Sequence, residues 1–249
     1  MKHKAFILIA LVSLTLGSCG ALEDNTATGS LTLTVTGATP NRPYRARLLH
    51  HTSLYSGYKK TGNTTASGGI STTYSGVPIG DATLFIAIDN DNDGTYEIGE
   101  SVYLSNKIYI GGSETLTVSS FAPSDSPQIT IKSTESASGT AYCGWLPMGI
   151  EPRISFFAPE QIVTITSGSF TSGAPGTGSA NTVVTTNPNT STPSYAAGLY
   201  PGALYNVFCF IDKAPANFLP DYSIEYAGSF YFVNSSTPYE FNLNEEFVQ

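Results

Sequence analysis

Apolar and polar residues alternate along several short stretches of this chain. A period of two is typical of a β-strand that buries one face and exposes the other. No stretch of a dozen residues beyond the N-terminus keeps the period of an amphipathic helix, and glycines and prolines separate the alternating stretches. The chain is therefore predicted to be all-β. The inward positions of the alternation are Leu31, Leu33, Val35; Tyr44, Ala46, Leu48; Leu84, Ile86, Ile88; Leu116, Val118; and Ile129, Ile131.

Two segments of the chain recur in the same order. Residues 74–89 resemble residues 195–212 as turn, strand and aspartate, and residues 107–118 resemble residues 229–243 as a hairpin. Chance similarity between β-rich segments is the alternative. The repeat predicts two tandem Greek-key β-sandwich domains of immunoglobulin-like or prealbumin-like type. The predicted boundaries are 30–132 for the first sandwich, 133–138 for a Ser-rich linker and 139–249 for the second sandwich.

Residues 89–100 satisfy every position of the calcium-loop pattern D-x-[DN]-x-[DN]-G-x5-E. Calcium takes about six to eight oxygen ligands, and a glycine in the middle of the loop permits the sharp turn. A solvated acidic turn without a bound ion is the alternative. Because the flanking residues alternate like strands, an EF-hand domain with its helices and its sensor motion is not expected. The predicted ligands are Asp89, Asp91, Asp93, the carbonyl of Thr95, Glu97 and Glu100.

The residues around this loop resemble a known class of protein. Gly-Val-Pro-x-Gly precedes the loop at residues 76–80, and Gly-Glu-x-x-Tyr follows it at residues 99–103. These two motifs are similar to those of bacterial surface proteins built from immunoglobulin-like or carboxypeptidase-regulatory-like sandwiches. The resemblance implies a fold and a surface location more than an activity. The second repeat is predicted to lack metal, because residues 212–221 keep the first aspartate but not the next two oxygen ligands.

The N-terminus is predicted to be a signal peptide over residues 1–18, with two lysines followed by a short apolar stretch. Residues 16–19, Leu-Gly-Ser-Cys, resemble the bacterial lipobox, which implies that Cys19 is lipidated and becomes the mature N-terminus. An ordinary secretory signal with a stray cysteine is the alternative. Residues 19–29 are then a lipidated tether to the membrane. Since Gly20 is not the aspartate that often retains lipoproteins in the inner membrane, the outer membrane is favoured, on its cell-surface or periplasmic face.

Lipidation of Cys19 leaves one pair of cysteines, Cys143 and Cys209. Exported proteins meet oxidising conditions, so this pair is predicted to form a disulfide in the second sandwich. Two buried free thiols are the alternative.

The net charge is −8, yet seven of the eleven basic residues precede position 61. They predict a basic strip on the first sandwich that could hold an anionic glycan, lipid headgroups or an acidic protein, with a charged strand edge as the alternative. Nucleic acid is not an expected partner of an exported acidic protein. The residues of this candidate patch are Arg42, Arg45, Arg47, Lys59 and Lys60.

Common catalytic motifs are missing from the sequence, and His50 and His51 are its only histidines after the signal peptide. The favoured function is a non-enzymatic surface or periplasmic lipoprotein for adhesion or envelope interactions. The alternative is a carbohydrate-binding accessory lipoprotein of an outer-membrane uptake or degradation system. A row of coplanar exposed aromatics on one sheet would favour the alternative. Candidate aromatics for sugar stacking are Tyr195, Tyr200, Phe218 and Tyr222.

Overall fold

The computed structural model of the chain describes part of its length. The described residues are 27–52, 58–125, 129–132, 138–149, 164–171, 180–183, 198–212, 227–233 and 239–242, and side chains are described for 27–52, 58–125, 143–149 and 198–209. These residues form sixteen strands and no helix. The predicted all-β class with tandem sandwiches is confirmed. None of the described residues belongs to a helix long and apolar enough to cross a membrane.

Nine strands make up the first half of the structure. They are β1 (Thr28–Val35), β2 (Pro43–His50), β3 (Lys59–Asn63), β4 (Ile70–Pro78), β5 (Gly80–Ile88), β6 (Ser101–Leu104), β7 (Ile108–Ile110), β8 (Ser113–Val118) and β9 (Ala122–Pro123). The other strands make up the second half. They are β10 (Ile129–Lys132), β11 (Ser138–Pro147), β12 (Thr164–Thr171), β13 (Ala180–Val183), β14 (Leu204–Asp212), β15 (Ala227–Val233) and β16 (Tyr239–Asn242).

The first half contains two sheets. Sheet A has the order β4-β1-β8, with β1 antiparallel to β4 and parallel to β8. Sheet B has the order β3-β2-β5-β6-β9, and β7 pairs with the start of β5. The strands β6 and β7 therefore lie one after the other along the same side of β5.

The second half repeats this pairing. Sheet C has the order β12-β11-β14-β15. These four strands correspond in order to β3, β2, β5 and β7 of the first half. Sheet D has the order β13-β10-β16, and β10 is antiparallel to β13 and parallel to β16, as β1 is to β4 and β8. The two segments that recur in the sequence thus occupy equivalent strands of two similar sets of sheets.

Strand β10 changes the division of the chain. The sequence suggested that the first sandwich runs to residue 132, but β10 pairs only with β13 and β16 among the described strands, and both belong to the second half. We therefore propose that the boundary lies between β9 and β10. Alternation shows which residues of a strand are buried but does not show which sheet the strand joins, so it does not separate β10 from the first half.

Sheets A and B enclose the core of the first half. The inward residues of β5, Leu84, Ile86 and Ile88, are fully buried among those of β1, β2 and β4. The alternation predicted for β1 is confirmed, because Leu31 and Leu33 are also fully buried. Burial of a side chain of this size contributes roughly 1.5–3 kcal/mol. Alternating apolar residues therefore hold the two sheets face to face.

The opposite face of β5 is buried as well. Phe85 and Ala87 are no more than 2% exposed and belong to one hydrophobic cluster with Trp145 and Val207 of the second half. Leu49 of β2, on the same face of sheet B, belongs to this cluster too. The sequence predicted a single buried face for these strands, and the second buried face is where the two halves meet.

A disulfide joins Cys143 of β11 to Cys209 of β14, which confirms the predicted pair. The two residues are direct cross-strand partners, and their Cα atoms are 4.1 Å apart. Cα atoms of directly opposite residues on antiparallel strands are close enough for such a bridge.

We expect Phe85→Ala to destabilise both halves by about 3–5 kcal/mol, because it opens a cavity in the cluster that they share. Trp145 is the only tryptophan of the chain, so its fluorescence during urea unfolding reports on the second half. The matched control is Tyr109→Ala, which removes an aromatic ring that is 61% exposed. An unchanged Trp145 transition in Phe85→Ala would contradict the shared core.

Replacing both Cys143 and Cys209 with alanine should lower stability by about 4 kcal/mol, since the bridge closes a long loop in the unfolded chain. Urea unfolding of the protein without residues 1–19 measures the loss. Reducing agent should lower the stability of the unmodified protein and leave the double variant unchanged. Two titratable thiols in the unfolded, unreduced protein would show that the bridge does not form.

Candidate functional site

The aspartate-rich loop connects two strands of sheet B. Asp89 follows the last residue of β5, and Glu100 precedes the first residue of β6. The amide of Asp89 donates a hydrogen bond of 3.0 Å to Pro43 O at the start of β2. The prediction of flanking strands is confirmed, so the loop has an EF-hand-like sequence in a β-hairpin setting.

Three carboxylates of the loop lie together. Asp89, Asp91 and Asp93 each offer an oxygen within 4.8 Å of the others. Asp89 is fully buried, while Asp91 and Asp93 are exposed to solvent. Oxygen ligands at this spacing suit a hard cation. The cluster could therefore bind a metal ion.

The backbone turns sharply around Asp89. Its Oδ1 accepts a hydrogen bond of 2.6 Å from Asn92 N, and its Oδ2 accepts one of 3.0 Å from Gly94 N. Asn92 and Gly94 have φ angles of 67° and 93°, which fall in the left-handed region. Glycine and asparagine enter this region most easily, which explains the residue types at these positions. These two donors compensate for burying the Asp89 carboxylate.

Glu100 is not one of the three clustered carboxylates in this structure. Its Oε1 accepts a hydrogen bond of 2.5 Å from Asn90 N, and its Oε2 accepts one of 2.7 Å from Glu97 N. Burial raises the pKa of Glu100, and the nearby charges of Asp89 and Asp91 act in the same direction. Glu100 thus fixes the two ends of the loop to each other. Its role as a ligand stays a prediction, as do those of Glu97 and the Thr95 carbonyl.

Ser124 anchors the second part of the loop, and the sequence analysis missed it. Its amide donates to Glu100 O at 2.7 Å, and its hydroxyl donates to Glu97 O at 3.0 Å. Gly99 N donates back to Ser124, at 3.0 Å from both its carbonyl and its hydroxyl oxygen. Ser124 follows the short strand β9, which lies beside β6. A serine more than twenty residues from the loop carries no local signal of this contact.

The same anchor leads into the second half. Asp125 and Leu199 exchange two backbone hydrogen bonds of 2.9 Å. Gly198 packs so closely on Ser124 that any Cβ at this position would overlap the serine side chain. The aspartate loop is thus hydrogen-bonded to Ser124, and the next residue along the chain, Asp125, is hydrogen-bonded to Leu199 of the second half.

The predicted basic strip is not a single exposed surface. Arg47 is only 2% exposed, because its face of sheet B is the one that meets the second half. Arg45 lies on that face too, and its guanidinium stacks 4.8 Å from the ring centre of Tyr96 in the aspartate loop. A basic strip requires this face to be open to solvent, which is wrong for Arg47.

The two lysines of the strip lie on opposite faces of β3. Lys59 is the cross-strand partner of Arg47, whereas Lys60 is the partner of Ala46, whose face belongs to the core of the first half. The Lys60 ammonium lies 5.8 Å from the ring centre of Tyr74, so its stem covers apolar surface. Binding of a ligand by Arg42, Arg45, Lys59 and Lys60 stays a prediction, and these residues do not share one face.

The adjacent histidines have separate partners. The Nε2–H of His50 donates to Pro78 O at 3.1 Å, and Nε2 of His51 is bonded to the hydroxyl of Thr83 at 2.9 Å. Burial lowers the pKa of both histidines, so the neutral forms are favoured. The two rings have different partners and do not converge on one ligand.

Several predicted features lie outside the described residues. They are the signal peptide and Cys19 at the N-terminus, the aromatics Tyr195, Phe218 and Tyr222, and residues 213–221 of the second repeat. Tyr200 is described and is half-buried. Its ring lies edge-to-face with that of Tyr103, at 6.4 Å between ring centres.

The sequence matches no protein-family profile and no curated protein. Among solved structures, the Bacillus anthracis TIE protein has 11% identity and a TM-score of 0.23, with 88% of this chain and 34% of that chain covered. This chain thus spans about a third of that protein. A candidate adhesin from Bacteroides ovatus ATCC 8483 has 9% identity and a TM-score of 0.25, covering 91% and 95%.

The shaft pilin SpaA from Lactobacillus rhamnosus GG has 10% identity and a TM-score of 0.21, with 90% of this chain and all of that chain covered. Scores this low carry no argument about function.

Proposed function

We propose that this protein is a non-enzymatic lipoprotein of the outer membrane, at the cell surface or the periplasmic face. Its tandem sandwiches serve adhesion or envelope interactions, and a calcium ion stabilises the first of them. The observation that carries this proposal is the aspartate cluster. The loop that contains it closes a β-hairpin. Glu97, Gly99 and Glu100 of this loop are hydrogen-bonded to Ser124, and the next residue, Asp125, is hydrogen-bonded to Leu199 of the second half.

The charges of the loop support calcium as its ligand. Three aspartates with oxygens within 4.8 Å of one another repel each other unless a cation is present. Calcium accepts carboxylate and carbonyl oxygens in irregular arrangements, and the six predicted ligands include both kinds. The loop lies between strands of one sheet and has no pair of helices to open. The metal therefore has a structural role in this proposal.

Several described ionisable groups serve the fold, which supports a non-enzymatic role. The two histidines have separate partners, and Lys107 forms an ion pair of 2.9 Å with Asp81 on the surface. Asp89 and Glu100 accept hydrogen bonds from the backbone of their own loop. Each of these contacts supports a turn or a strand end.

The aromatic side chains favour adhesion over an accessory role in polysaccharide degradation. Among the side chains that the structure describes, Tyr109 is the only aromatic in the set of large exposed apolar residues. The described surface therefore has no row of coplanar exposed rings. Such a row would be expected of a platform for long polysaccharide chains.

Removing calcium with a chelator should lower the melting temperature of the protein, and restoring millimolar calcium should raise it again. A calcium concentration ten times the dissociation constant corresponds to about 1.4 kcal/mol of stabilisation. The diagnostic variant is Asp91→Asn with Asp93→Asn, because asparagine keeps an acceptor oxygen and both positions are exposed. Its melting temperature should depend much less on calcium. Replacing Asp89 is a poorer test, because Asp89 is fully buried and both of its oxygens accept backbone hydrogen bonds of the turn.

The control for charge is Glu114→Gln on β8, which should leave the calcium dependence unchanged. Magnesium at the same concentration should stabilise the protein less, since it demands a tighter octahedral site. Equal melting temperatures with chelator and with calcium would rule out the metal site.

Replacing Cys19 with serine should release the protein from the membrane fraction, because serine cannot accept the thioether-linked lipid. Partition into a detergent phase separates the lipidated from the unlipidated form. Gly20→Ala keeps the cysteine and should stay with the membrane. A Cys19→Ser protein that still partitions into detergent would contradict the lipid anchor.

A further inference from the structure

A cleft of about 630 Å³ lies where the two halves meet. Ligand pockets commonly have volumes of this order and occur at domain interfaces. One wall comes from the first half and carries the polar residues Thr83, Ser105, Asn106 and Lys107. The other wall comes mainly from the second half and is largely apolar. The cleft therefore has two chemically different sides.

The polar wall is fixed by the break between β6 and β7. Ser105 N donates to Leu84 O at 2.9 Å, and Leu84 N donates to the Ser105 hydroxyl at 2.8 Å. This exchange holds Ser105 buried against β5, while the next two residues, Asn106 and Lys107, are exposed. The wall thus presents an amide and an ammonium group from a rigid backbone.

The apolar wall includes Met148 and Leu204, which are 45% and 38% exposed. These are two of the most exposed large apolar side chains in the described part of the chain. Tyr200 also lines the cleft, and its amide donates to the hydroxyl of buried Tyr205 at 2.9 Å. The aromatic residue is therefore held in place before any ligand binds.

The positive charge in the cleft is neutralised by an ion pair. Lys107 is its only charged lining residue, and the Lys107 ammonium lies 2.9 Å from Asp81 Oδ2. An anionic ligand would compete with Asp81 for this group. An uncharged ligand with many hydroxyl groups can instead use the exposed Asn106 amide as donor and acceptor and the Lys107 ammonium as donor.

We infer that this cleft binds a neutral saccharide. A sugar ring has apolar C–H faces, which suit the wall of Tyr200, Met148 and Leu204. Its hydroxyl groups lie at the ring edge, where Asn106 and Lys107 can bond them. The inference deepens the proposed adhesive role, on which it rests, by naming the class of ligand.

The test is binding of the purified protein to short neutral oligosaccharides, namely β-1,4-glucan, β-1,4-xylan, β-1,4-mannan and α-1,4-glucan fragments, measured by calorimetry. Polygalacturonate serves as the anionic probe and a proline-rich peptide as the protein-like probe. At least one neutral oligosaccharide should bind. Asn106→Ala should weaken that binding about tenfold, as expected for a lost hydrogen-bonding group.

Tyr200→Ala should weaken binding at least as much, whereas Tyr200→Phe keeps the ring and should retain it. Asn63→Ala removes an exposed asparagine from β3, outside the cleft, and should change nothing. Unchanged Trp145 fluorescence shows that each variant remains folded.

Three results would overturn the inference. They are the absence of binding to every neutral probe, binding that survives both Asn106→Ala and Tyr200→Ala, and selective binding of polygalacturonate or the peptide. If calcium and Cys19 behave as proposed while one of these results is found, the proposed lipoprotein role stands and the saccharide cleft does not.

Discussion

Burial of β5 on both faces is the constraint on which the rest of the structure depends. One face of this strand completes the core between sheets A and B, and the other faces the cluster that includes Trp145. A strand buried on both sides needs apolar residues at consecutive positions, and Leu84 to Ile88 supply them. The two halves therefore cannot separate without exposing Phe85 and Ala87 to water.

This constraint also places the two candidate sites. The aspartate cluster lies just beyond the last residue of β5, and Thr83, near the start of the strand, lines the cleft. Both sites are attached to a strand whose position is fixed by packing on two sides. Sites built on such elements are held more exactly than sites on free loops. The cleft exists only because the two halves are packed together, whereas the aspartate turn is formed by local hydrogen bonds.

The sequence predicted the features that depend on local pattern. Alternation identified the inward faces of β1, β2 and β5, and the spacing of Asp89, Asp91 and Asp93 identified residues that the structure brings together. The remaining pair of cysteines proved to be a disulfide. In each case the relevant residues are close in the chain, or their number alone restricts the possibilities.

The features that the sequence did not predict correctly depend on contacts between distant parts of the chain. Arg47 looked like an outward residue because it alternates with Ala46 and Leu48, and only the packing of the second half shows that its face is covered. Ser124 is joined to the aspartate loop through the pairing of β9 with β6. One signal of the covered face was present in the sequence. The run from Leu84 to Ile88 has no polar residue, whereas a half-exposed strand would have two.

The repeated pairing shows how the two halves stabilise equivalent strands by different chemistry. Ile86 of β5 and Cys209 of β14 each lie three residues before an aspartate, Asp89 and Asp212, and their cross-strand partners are Ala46 and Cys143. At the same distance before the aspartate, the first half has an apolar pair in its own core, and the second half has a disulfide in the cluster that joins the two halves. Just beyond the end of β5, the first half has the buried, hydrogen-bonded Asp89. A metal ion at this turn would restrain the end of β5, as the disulfide restrains β14.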